Sequence, residues 1–266
     1  MSTPRRDFLK ATLAASAASV LPSSSSAAPG ASSVRRELYE LRAYRLKADA
    51  SAAQLHAYLE KAFIPACNRL GTAAVGVFTE AAPKDGPAVW VLVPHASFES
   101  FLATQSLIER DAALQVAGAE YLQTPKASPA FERIDSWLLL AFTGMPTMEL
   151  PPMSKARQPR LFELRMYESY SETKALRKID MFNEGEIDVM KRVGLAPVFF
   201  GQALTGPNLP HLAYITSAPD AEAHKRHWDA FRVDPVWEKM KNDPRYADTV
   251  SKNTPRILGP TSYSQI

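Results

Sequence analysis

The chain has one cysteine, Cys67, among 266 residues, so it can form no internal disulfide, and no Cys-x-x-Cys-His sequence exists to attach a haem. A chain this long buries enough core to do without such staples. Cys67 falls on the apolar side of a helical stretch near Ala66 and Leu70, which predicts a buried, inert thiol. Gly-x-Ser-x-Gly, P-loop and Gly-x-Gly-x-x-Gly patterns are also missing, which removes the usual support for hydrolase, nucleotide and dinucleotide chemistry. Nor is there a long apolar run: the stretch Ala11–Leu21 is shorter than the roughly 20 residues a spanning helix needs. A basic surplus is lacking too. The formal charge of +3 concentrates at the N-terminus. Taking away Met1–Ala27 removes three bases (Arg5, Arg6, Lys10) and one acid (Asp7), leaving 28 against 27. A net charge near zero carries no footprint for nucleic acid.

What is present at the N-terminus reads as an address. Arg5-Arg6-Asp7-Phe8-Leu9-Lys10, then a mild Ala/Ser-rich stretch and small residues near Ala27, fit a twin-arginine export signal. The expectation is a signal peptide over 1–27, a flexible lead-in over 28–35, and a periplasmic or secreted mature protein with no stable membrane insertion once the signal is removed.

The rest is organised by an internal repeat. At an offset of 123 residues, Leu38, Glu40, Leu41, Arg42 and Tyr44 recur as Leu161, Glu163, Leu164, Arg165 and Tyr167. Farther on, Ile64, Arg69, Gly71, Ala73, Val75 and Pro87 recur as Ile187, Arg192, Gly194, Ala196, Val198 and Pro210. Such a period predicts a duplicated domain, 36–145 and 160–266, joined by a Pro-rich linker over 146–159. In the first copy alternation predicts strands over 37–46, 75–80, 88–94 and 131–142. Helices are expected over 51–70, capped by Asp49 or Ser51 with Gln54 and bent at Pro65, and over 97–122. The second copy predicts strands over 160–169, 196–203, 211–217 and 256–264, with helices over 171–193 and 219–231. The order β-α-β-β-α-β twice makes an α+β fold of two tandem ferredoxin-like units, which can close face to face as a dimeric α+β barrel. Whether closure happens within one chain or between two, as a homo-oligomer, stays open.

Several segments resemble the NIPSNAP family: Phe162-Glu163-Leu164-Arg165-Met166-Tyr167, the run from Gly194 to Gly201, Pro210-His211-Leu212-Ala213-Tyr214, and Trp228-Asp229-Ala230-Phe231-Arg232 with Asp234-Pro235-Val236-Trp237. The resemblance covers the second copy almost entirely and the first more loosely. At the matching offset Trp228 and Trp237 have Gln105 and Leu114, so whatever depends on those tryptophans exists once per chain. The resemblance implies a dimeric α+β barrel and leaves the biochemical role undefined.

Period two puts Glu40, Arg42 and Tyr44 on one strand face, and Glu163, Arg165 and Tyr167 on the equivalent one. If the other face packs against helices, these six enter the barrel, where unpaired charge is costly. Two readings follow: a ligand site for a small polar or aromatic molecule, to which Trp228 adds a wall, or pairs that neutralise one another and set register. His224 and His227, with His211 distant, make a weak metal set and read better as surface histidines, so no metal is assigned; a lone histidine such as His224 or His56 could still hold a haem. The cofactor is therefore undetermined, and an enzyme of oxidative or isomerising type stands as the alternative to a binding protein.

Overall fold

The computed structural model describes residues 35–48, 51–83 and 85–266. The proposed signal, most of the lead-in and the candidate cap Asp49 lie outside the described residues. Eight strands form the frame: β1 (Leu38–Arg45), β2 (Gly76–Glu80), β3 (Ala88–His95), β4 (Arg133–Ala141), β5 (Leu161–Glu168), β6 (Pro197–Thr205), β7 (His211–Ala218) and β8 (Lys252–Pro260). They close into one barrel in the order β1-β3-β2-β8-β5-β7-β6-β4, every neighbour antiparallel. Each half of the chain supplies four adjacent strands, and the halves join along β2–β8 and β4–β6. The barrel therefore closes within a single chain.

Helices cover the outside. In the first half Ala53–Tyr58 (α1) and Ile64–Arg69 (α2) are joined by a π-helical turn at Leu59–Phe63. Pro65 stands just past that turn, where its missing N–H leaves the ladder of hydrogen bonds one donor short. Ser51 accepts only from Ala53 N–H, and Gln54 turns instead to the Glu120 carbonyl, so the expected capping box is absent. The stretch predicted as one helix is four short ones, Phe98–Gln105 (α3), Leu107–Arg110 (α4), Ala112–Ala117 (α5) and Ala119–Leu122 (α6). The break before α5 is a cap: Asp111 is extended, and its carboxylate accepts from Leu114 N–H. A short helix, Pro152–Lys155 (α7), lies in the connection between the halves. In the second half Glu172–Met181 (α8) and Ile187–Arg192 (α9) flank another π turn, Phe182–Glu186, at the same offset of 123. Ala221–Arg232 (α10) and Pro235–Lys241 (α11) follow, the second capped by Asp234.

The last strand begins four residues earlier than the sequence pattern suggested. Pro255 is tolerated within it because it lies on the part of β8 that extends past its ladder with β2, so its lack of an N–H costs little.

The interior is one apolar cluster containing residues from all eight strands and from no helix: Tyr39, Leu41, Phe78, Trp90, Trp137, Phe162, Leu164, Phe199, Ile215 and Leu258 among them. Aromatic pairs fill it, with Tyr39 4.8 Å from Phe199 and Phe78 5.0 Å from Phe162 between ring centres. Met148, Leu150 and Ile266 pack against it, so the connection between the halves, expected to be only a linker, also plugs one barrel end. Two further clusters lie between the barrel wall and the helices of each half.

This overturns the orientation expected for Glu40, Arg42, Tyr44, Glu163, Arg165 and Tyr167. The face that enters the barrel carries Tyr39, Leu41 and Ala43, and the Glu-Arg-Tyr face turns outward under the helices. The physical reason is partner supply. A dry, aromatic-packed barrel offers those charges nothing, whereas the helices offer amide, imidazole and indole groups.

Candidate functional site

On β1 the side chains of Glu40, Arg42 and Tyr44 stand in line. Arg42 clasps Glu40 with two parallel bonds, Nε and Nη2 each 2.7 Å from a carboxylate oxygen. A bidentate pair of this kind is strong and directional. Its Nη1 donates to the Tyr44 hydroxyl at 3.5 Å, and Phe63, presented by the π turn, lies 5.1 Å from the guanidinium carbon. Glu40 also accepts from Gln105 Nε2 at 3.0 Å and from Ser136 Oγ at 3.2 Å. Burial would raise the Glu40 carboxyl, but His95 and Arg42 outweigh it and bring it down to about 2. His95 Nε2 is 3.8 Å away, beyond hydrogen-bond length, so the guanidinium carries the larger share.

Above this triad a cleft of about 310 Å³ remains open between β1, β4 and the helices, walled by Tyr58, Phe63, Tyr121, Leu107 and Ile108. Tyr58 and Tyr121 stack with ring centres 4.0 Å apart. Burial raises both of their hydroxyls, which therefore stay protonated at neutral pH while Glu40 stays ionised. These groups can bind and orient a guest; they are poor at moving protons near neutrality.

The second half repeats the triad and lays a tryptophan ring over its arginine. Glu163 accepts from Arg165 Nε at 2.8 Å, from Trp228 Nε1 at 2.7 Å, and pairs with His224 Nε2 at 2.9 Å. The Trp228 ring covers Arg165, its centre 3.9 Å from the guanidinium carbon. Arg165 Nη1 reaches Tyr167, whose hydroxyl meets that of Tyr214 at 2.9 Å. Burial alone would raise Glu163, but His224 and Arg165 hold it below the usual carboxylate range. Trp228, itself buried, is thus packed as a lid over the second triad. At its offset stands Gln105, which bonds the first triad's carboxylate in the same way but has no ring to lay over Arg42.

The structure brings Glu40, Arg42 and Tyr44 together at an open cleft, and Glu163, Arg165, Tyr167 and Trp228 together with the indole laid over the guanidinium. His224, expected at the surface, belongs to the Glu163 network because a buried carboxylate needs its donor. His56 meets the Tyr263 hydroxyl, and neither histidine lines the cleft. Among the described residues no group of three or more His, Cys, Asp or Glu is placed to hold a metal ion. Cys67 is fully buried, and burial pushes its thiol up to about 12. The cleft residues Tyr58, Phe63, Tyr121 and Gln105 were not singled out as a site in the sequence. The one signal was the Trp228-to-Gln105 exchange at the repeat offset.

Comparison with known proteins places the fold. A candidate monooxygenase from Fusobacterium nucleatum subsp. nucleatum is similar over 85% of this chain and 93% of its own, with a TM-score of 0.54 and 9% identity. A second, from Lactobacillus acidophilus, gives 0.54 and 9% over 85% and 94%. At such identity these likenesses speak for the barrel alone. An uncharacterised NIPSNAP-like domain protein from Burkholderia xenovorans is 18% identical over 40% of this chain and 88% of its own, with a TM-score of 0.35. No curated protein matches the sequence. Residues 162–265, which contain the second Glu-Arg-Tyr triad and its tryptophan lid, match the NIPSNAP family model.

Proposed function

We propose that the chain is an exported NIPSNAP-type binding protein, built from two copies of a ferredoxin-like unit, in which the second copy is structural and the first holds a small polar or aromatic molecule. The observation that carries this reading is the cleft of about 310 Å³ beside stacked tyrosines at the first triad, where Gln105 stands in the place that Trp228 takes over Arg165 at the second. A polar aromatic guest fits, since it would stack on Tyr58 and Tyr121 and accept or donate at Tyr44 and Gln105. Because Arg42 is already neutralised by Glu40, the cleft selects by shape and hydrogen bonding more than by charge. Export to the periplasm is supported by Arg5-Arg6 and the small-residue stretch that follows. Among the described residues no helix is long and apolar enough to cross a membrane.

Native mass spectrometry on wild-type protein and a Gln105→Trp variant tests this, with p-cresol as the added probe. Wild type should retain an endogenous small molecule or bind p-cresol, and the variant, its cleft filled, should do neither. Equal binding by a folded Gln105→Trp protein would sink the proposal. The barrel shared with the two candidate monooxygenases favours one second reading, an oxidative or isomerising enzyme with haem or no cofactor. A Soret band in the same sample, or consumption of a bound aromatic, would move the assignment there.

A further inference from the structure

The helices over the first triad carry a second hollow beside the cleft. Its volume is about 350 Å³, and its wall is made by Leu70, Ala103, Leu107 and Ala112 together with Ser106, Arg110 and Asp111. Leu107, itself buried, is the one residue common to this wall and to that of the cleft, so a single side chain of α4 borders both spaces. The polar groups of the hollow are already bonded. Ser106 Oγ donates to the Leu102 carbonyl at 3.2 Å, and Asp111 accepts from Arg69 Nε and Nη2 and from Leu114 N–H. Arg110 is exposed and solvated. What remains for a guest is apolar surface, which is costly to leave against water.

Leu70 in the wall, and Leu102 and Ile108 beside Ala103 and Leu107 in the chain, are each about half exposed. Single exposed apolar residues are ordinary, but several gathered at a hollow mark a binding groove. The second half shows that the fold does not require them. At the offset of 123, Leu102 and Ala103 have Lys225 and Arg226, which pair on the surface with Asp229 and Glu222. The copy whose triad has an open cleft is thus also the copy whose covering helix is apolar on its outer side.

We infer that the guest of the first cleft is an amphiphile, with a phenol-like head lying on Tyr58 and Tyr121 and an unbranched aliphatic tail that runs past Leu107 into the neighbouring hollow. This rests on the reading of that cleft as a binding site and adds the class of molecule to it. The cleft supplies the hydrogen bonds and the aromatic stack for the head, and the hollow supplies the apolar area for the tail.

Isothermal titration of the full chain with p-cresol and with p-pentylphenol tests this, on protein that native mass spectrometry shows to be free of endogenous guest. The two probes share a head and differ by four methylenes. A fully buried methylene is worth about fourfold in affinity; with Leu70 and Ala103 partly exposed, about half that free energy, or about twofold for each, is expected. The pentyl compound should therefore bind wild type at least tenfold tighter than p-cresol. Ala103→Glu puts a charge in the hollow at an exposed position that does not line the cleft, and should bring the ratio below threefold while p-cresol binds as before. A ratio near one on wild type, or a tenfold ratio that Ala103→Glu leaves intact, would overturn the inference and leave the cleft reading standing. No heat from either phenol on wild type would overturn both.

Discussion

Glu40 shows how much one side chain's surroundings decide. Its residue type and its place beside Arg42 were readable in sequence, and so was the neutralising pair. The direction in which it faces was not, because period two separates two strand faces without saying which is the inside. With its carboxyl near 2 in the folded protein and in the ordinary range when unfolded, Glu40 contributes stability that is present above about pH 4.5 and is lost as pH falls toward 2. The thermal midpoint of Glu40→Gln should therefore fall less steeply than that of wild type between pH 5 and 3. Parallel slopes, measured by circular dichroism, would contradict the account.

At the scale of elements, α8 and the π turn after it carry a buried ion pair, Lys178 Nζ to Glu186 at 2.7 Å. Burial pushes the Glu186 carboxyl up, so the pair is held against a real desolvation cost. At the repeat offset the first half has Leu55 and Phe63 in place of these two charges, both buried. Lys178→Leu alone strands a buried carboxylate and should cost about 3–5 kcal/mol in urea unfolding. Lys178→Leu with Glu186→Leu should recover most of that, and a double variant no better than the single would refute the pairing argument. The β6–β7 turn makes a second case. Gly206 has φ +128°, and a Cβ there would sit 2.5 Å from the Trp137 ring. Gly206→Ala should destabilise by about 1–3 kcal/mol, through backbone strain and the shift forced on Trp137, as read from the urea midpoint.

For the molecule as a whole, closure of the barrel is the governing fact. Residues 160–266 contain the NIPSNAP match and four adjacent strands, but cut from the rest they would leave β8 without β2 and β6 without β4. They would also bare the inward face carrying Phe162, Leu164, Phe199 and Ile215. Open edges above an apolar face associate. That fragment should elute as a dimer or larger in light-scattering chromatography, whereas a folded monomer would show that the halves are independent. For the same reason the full chain should unfold in one cooperative step.

The sequence by itself determined the strands, the two long outer helical regions of the second half, the α+β class, the Glu-Arg-Tyr triads and the place where a tryptophan becomes a glutamine. Those are local facts, written in periodicity, capping and side-chain chemistry. Only the tertiary structure decided that one chain closes the barrel, that the triads face the helices, that one cleft is open, and that Leu70, Ala103, Leu107 and Ala112 meet at a hollow beside it. Those residues come from four helical segments and meet only because packing on the barrel wall brings them there, and which face a helix covers depends on what the opposite face can bury.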